Sequence, residues 1–191
     1  TISYLMKSKI KKLIRHNFKK ILFYILGSIA VLVLITISSK MKAAVLITMF
    51  IALNIQIVSY KKFLPSVPIE IEILTLGIVL STMVFGWRQG LIIAIIGGIF
   101  SFVFSGNFSP FAIPMLGGYI LIVFTSYFLR SMNITFVGMI SSIIANCFVF
   151  ISYHILFRYD FAKNLSFSLS NLIVNSILFV NLAPFLFNLM N

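Results

Sequence analysis

The chain of 191 residues is 61% hydrophobic and only 9% charged, with 21 phenylalanines. This excludes a water-soluble globular domain, in which about a quarter of the residues carry charge. Fifteen Lys and Arg against three acids give a net charge of +12, but Lys7, Lys9, Lys11, Lys12, Arg15, Lys19 and Lys20 crowd the start of the chain beside an apolar run. That placement argues against nucleic acid as a partner and for a cytoplasmic N-terminus held to anionic lipid headgroups, at about 1 kcal/mol per charge.

A spanning helix needs about 20 mostly apolar residues, because the hydrocarbon core is roughly 30 Å thick and each helical residue rises about 1.5 Å. Residues 1–20 form a basic cytoplasmic segment. Ile21 to Ser38 is a first hydrophobic helix, spanning or interfacial. It resembles a signal sequence but lacks an Ala-x-Ala cleavage site, and so is read as part of the mature protein. Six further apolar runs build a membrane domain over 41–191: Met41 to Ser59, Ile69 to Gly86, Gly90 to Gly106, Pro110 to Leu129, Ile134 to Phe157 and Ser168 to Leu189. Their continuity suits helices and not the alternating strands of a barrel, so the expected fold is an all-α, polytopic transmembrane bundle. The expected location is the cell membrane. Lys and Arg show the same cytoplasmic excess whether the first segment spans or lies at the interface, so the orientation of the remaining helices stays open.

Small residues recur at helical spacing along these runs. Ala44, Thr48 and Ala52 fall one turn apart on the second segment, and Gly97, Ser101 and Ser105 repeat the pattern beside Gly98 on the fourth. Such stripes let helices approach closely in lipid, and the first of them also suits docking of another membrane protein. Gly117 and Gly118 follow Pro114, where a bend is expected. Cys147 is alone in an apolar run, which gives no disulfide framework and suggests a small packing residue.

Polar side chains in the lipid zone each require a partner or a cavity. Ser142, Asn146 and Tyr153 share a stripe on the sixth segment with His154 beside it, and Ser168, Asn171 and Asn175 share one on the last. If these helices are antiparallel neighbours, their amides either bond to one another or line a pocket for a small polar ligand. Tyr119, Asn54 and Gln56 are weaker candidates for the same cavity, and Asn181 lies off the stripe. Glu70 and Glu72 diverge by about 200° on a regular helix, so one of them, taken as Glu70, is expected at a ligand and the other against Lys61 or Lys62, with a plain interfacial ion pair as the alternative. No HExxH, GxSxG or phosphate-loop motif is present, and His16 and His154 lack carboxylate or thiol partners. No enzyme, metal or cofactor is therefore expected.

From Met41 onward the order of signals resembles the S component, the substrate-binding subunit, of energy-coupling factor (ECF) vitamin transporters. The resemblance rests on the Lys42-Ala43-Ala44 start, the proline-bearing loop Leu64 to Pro68, the turn Phe85-Gly86-Trp87-Arg88-Gln89-Gly90, the glycine-rich helix after it, and the run from Phe108 to Gly118. It implies a six-helix core, here with an extra N-terminal helix, that captures a vitamin or related micronutrient. Import would be driven by a transmembrane coupling protein with ATP-binding subunits. It further implies partner docking through Ala44, Thr48 and Ala52, with threonine where the family has alanine, and substrate binding through the loop Tyr60 to Pro68 and the Asn146, Asn171 and Asn175 region. A non-transport scaffold of cell-envelope assembly, similar in layout to the rod-shape proteins, is the alternative.

Overall fold

The computed structural model describes residues 39–59, 71–105 and 109–190. The basic segment, the hydrophobic segment 21–38, the loop Tyr60 to Pro68 and Glu70 lie outside them. The chain divides into two compact units, Thr1–Lys42 and Ala43–Asn191, and the elements that build the site belong to the second. All regular structure among the described residues is helical: α1 Ser39–Val58, α2 Leu74–Phe85, α3 Trp87–Ile92, a π-helical turn Ile93–Gly97, α4 Gly98–Ser105, α5 Ala112–Phe128, α6 Ile134–Phe157, α7 Phe161–Asn181 and α8 Ala183–Met190.

Met41–Val58, Trp87–Phe104 and Ile134–Phe157 are long and apolar enough to cross a membrane, and α7 with α8, bent by 52°, forms a fourth candidate span. The outward faces carry Ile113, Phe128, Ile151, Ile155, Ile173 and Phe185 among other large apolar side chains, a surface that fits lipid and not water.

α2 is only 12 residues long, yet every residue from Leu74 to Thr82 is buried. A helix that is apolar all round belongs in an interior, and α2 packs against α5, α6, α7 and α8 at the centre of the bundle. The expected run from Ile69 is shortened because Ile71 and Glu72 precede the helix. Asn54 of α1 fixes this start: its Oδ1 accepts from the backbone N–H groups of Ile73 (2.9 Å) and Leu74 (3.2 Å), and its Nδ2 donates to Ser101 Oγ (2.6 Å). Asn54 thus serves as a structural cap supplied from a neighbouring helix, outside the pocket expected from the sequence.

Gly86, at φ 97°, ends α2, and α3 begins at once with Trp87, so the expected Trp87 to Gln89 connection is helix. The π turn then sets Gly97 against Leu74 and Ile51, and Gly98 against Leu116 and Tyr119. Pro114 sits in the first turn of α5, where a missing N–H removes no intrahelical bond; the bend expected there has no cause. α6 runs over Ile134–Phe157 as predicted, capped by the Asn133 side chain on Thr135 N and closed by Arg158 in the left-handed region, with Tyr159 N bonded to Tyr153 O.

The expected long connection Arg158 to Phe167 shrinks to three residues. Asp160 accepts from Lys163 N and caps α7 at Phe161. Cys147 faces outward, which corrects its reading as a packing residue.

Candidate functional site

α7 presents Asn164, Ser168, Asn171, Asn175 and Phe179 along a single buried face, the i, i+3, i+4 spacing that places side chains above one another. α6 meets it with Ser142, Asn146, Val149 and Tyr153, also buried. The two stripes expected to face each other do so: Asn146 Nδ2 donates to Asn171 Oδ1 at 2.9 Å and to Ser142 O at 2.9 Å, and Asn175 Nδ2 donates to Asn171 Oδ1 at 2.7 Å. Asn171 completes the link by donating from Nδ2 to Glu72 Oε1 at 3.3 Å.

Glu72 is the centre of the cluster. Only 4% exposed, it receives three donors: Thr75 Oγ1 on Oε1 at 2.8 Å, Asn171 Nδ2 on the same oxygen, and Tyr119 OH on Oε2 at 2.5 Å. A carboxylate drawn from water into an apolar bundle needs such donors, since each charge buried alone costs several kcal/mol. Among the described residues no cationic side chain pairs with it. The sequence reading left Glu72 as a counter-charge for Lys61 or Lys62 and chose Glu70 for the ligand. The structure places Glu72 in the polar cluster, while Glu70 falls outside the described residues.

A cavity of about 30 Å³ opens beside this cluster, walled by Glu72, Thr75, Tyr119, Ser142, Asn146 and Asn171 on its polar side and by Met115, Ile122, Ala145 and Val149 on its apolar side. Ser142 Oγ is buried with no hydrogen-bond partner. Phe167 closes one part of the wall and packs near the Tyr153 ring, 6.1 Å between centroids. Tyr153 in turn donates to Phe111 O and packs against Phe111, Phe157 and Tyr159. That aromatic group sits at the C-terminal end of α6.

Of the residues singled out from sequence, Tyr119, Asn146, Asn171 and Asn175 come together as one network. His154 does not join them: it is exposed, edge-on to Phe161 on the outer face, because it follows the buried Tyr153 by one residue and so turns about 100° away. Gln56 is likewise exposed. Asn181 donates to Ile177 O within its own helix.

Thr75 and Asn164 were missed. Asn164 Nδ2 donates to Phe150 O across α6 and α7, and its place one turn before Ser168 was the available signal. Ala44, Thr48 and Ala52 are all exposed along α1, with Thr48 Oγ1 turned back onto Ala44 O. Gly97 and Ser101 face inward instead. No group of three or more metal-ligating side chains exists among the described residues. Comparison with known protein families, characterised proteins and solved structures returns no match.

Proposed function

We propose that the chain is the solute-capturing subunit of a membrane importer of the ECF S-component type, with Glu72 at the head of the binding site. The observation that carries this reading is a buried carboxylate at a cavity wall, without a cationic side chain beside it among the described residues. Ionisable groups inside an apolar bundle are costly and commonly mark a ligand or ion path. Helices that needed only to be held together would do so with the asparagines alone.

Two further features support it. The cavity draws on Glu72 just before α2 and on the first halves of α5 and α7, and in the orientation implied by the resemblance those helix starts face outside. The small-residue stripe on α1 is uncovered, as a docking face for a coupling protein requires.

The cavity sets a condition on the solute. About 30 Å³ accommodates one or two water molecules, whereas drug-sized ligands occupy pockets of about 300 Å³ or more. Capture of a vitamin therefore demands that the site widen.

The mutual bonding of the three asparagines favours a second reading, the envelope scaffold, in which the cluster is internal glue. Mass spectrometry of small molecules retained by the detergent-purified full chain, with and without added vitamins and related heterocycles, separates the two. Capture predicts a retained compound whose binding weakens about tenfold in Asn171→Ala, the loss of about one hydrogen bond. Absence of any bound compound, with co-purification of envelope-synthesis proteins in place of ATP-binding subunits, would establish the scaffold instead.

A further inference from the structure

The donors and acceptors around the cavity do not balance. Asn171 accepts twice through Oδ1 and donates to Glu72. Asn146 uses Nδ2 for both of its bonds, so its free valence is the carbonyl oxygen. Ser142, 2% exposed, has an unpartnered Oγ at the same wall. Glu72 contributes two carboxylate oxygens. The unfilled capacity of the wall is therefore the Asn146 carbonyl oxygen, the Ser142 hydroxyl, whose oxygen can accept while its hydrogen turns away, and one N–H of Asn171, all beside the Glu72 carboxylate. Its remaining surface is apolar, and no Lys, Arg or His is among the lining residues. A low local dielectric makes that field stronger than it would be in water.

We propose that this cavity is a site for a small monovalent cation, with the Glu72 carboxylate as counter-charge and the Ser142 and Asn146 oxygens as neutral ligands. The inference deepens the capture reading and rests on it for the purpose of the site, but its chemistry is separate. A single carboxylate among neutral oxygens matches one positive charge. No set of three acidic, thiol or imidazole groups is present among the described residues for a multivalent ion. The volume takes an alkali ion with part of its water shell removed.

The test is thermal melting of the full-length protein in detergent, without added solute, at constant ionic strength. Chloride salts of lithium, sodium and potassium are titrated against N-methyl-D-glucamine, a cation too large for the cavity. The site predicts that one alkali ion raises Tm with a saturable dose dependence, as any ligand of the folded state does. Glu72→Gln abolishes that dependence. Because Glu72→Gln removes a bonded group and risks misfolding, Ser142→Ala is the second variant: its hydroxyl has no partner to lose, and the half-saturating concentration should rise about tenfold. Asn181→Ala, remote from the cavity, leaves it unchanged.

Equal melting in all four salts means water alone fills the cavity and overturns the proposal, as does a saturable effect that persists unaltered in both cavity variants. A retained solute with no cation effect upholds capture and overturns the cation site. A cation effect without any solute does the reverse.

Discussion

Asn54 shows how much one buried amide can hold. Its oxygen satisfies two backbone N–H groups at the start of α2, and its nitrogen reaches Ser101, which passes its own hydrogen to Gly97 O at 2.6 Å. Truncating it orphans two backbone donors. Asn54→Ala should lower stability by about 1–3 kcal/mol, and Ser101→Ala by less, since it leaves only one amide hydrogen unmet. Detergent-phase unfolding of both variants checks the order, and Ser101→Ala proving the more damaging would refute this account. The same residue explains why Glu72 stands where it does. The helical argument about Glu70 and Glu72 assumed a regular turn from Ile69, but α2 begins only after Asn54 has engaged Ile73 and Leu74, so Glu72 leaves the helical register. A contact between residues 19 positions apart sets the start of the helix that Glu72 precedes, and no local pattern carries it.

Elements were legible where their ends are signalled locally. α6 has an asparagine cap before Thr135 and a left-handed residue at Arg158, and its predicted limits match. α7 begins seven residues earlier than expected because Asp160, read as part of a polar connection, is an N-cap. The pairing of the two helices followed from their polar stripes. Their closest approach did not, since it depends on which glycine meets which ring. Gly138 faces Phe179, a fully buried side chain, and an added methyl would fall on the ring itself. Gly117 faces only the outer edge of the Phe148 ring, which is exposed and free to swing outward. Gly138→Ala should therefore destabilise by about 1–3 kcal/mol through overpacking. Gly117→Ala should be neutral, or stabilising by up to about 1 kcal/mol through helix propensity. Equal melting temperatures for the two variants would contradict this distinction.

At the scale of the whole molecule, the two ends of the bundle differ in chemistry. The end holding the Gly86 break and the α5–α6 connection carries Arg88 over Trp87, 5.6 Å to the ring centroid, and Arg130 over Tyr127 at 4.9 Å. Such pairs place an apolar ring and a solvated charge together and suit a membrane interface. The other end carries the cavity, the aromatic group around Tyr153, and Arg158, Asp160 and Lys163. Charge counting alone leaves the sidedness undecided, because the cytoplasmic excess of Lys and Arg is the same whether the first hydrophobic segment spans or lies at the interface, but the capture reading requires the cavity end to face outside. Single cysteines test it in a Cys147→Ser background, where the outward-facing native thiol is removed. Ala162→Cys lies at the cavity end and Ser131→Cys at the opposite one, and both positions are exposed. A membrane-impermeant maleimide applied to intact cells should label Ala162→Cys within minutes and Ser131→Cys only after permeabilisation. The reverse pattern would turn the cavity toward the cytoplasm. A site opening there does not receive a solute from outside, so the capture reading would fall, while a cation site, indifferent to sidedness, would remain to be judged by its own melting curves.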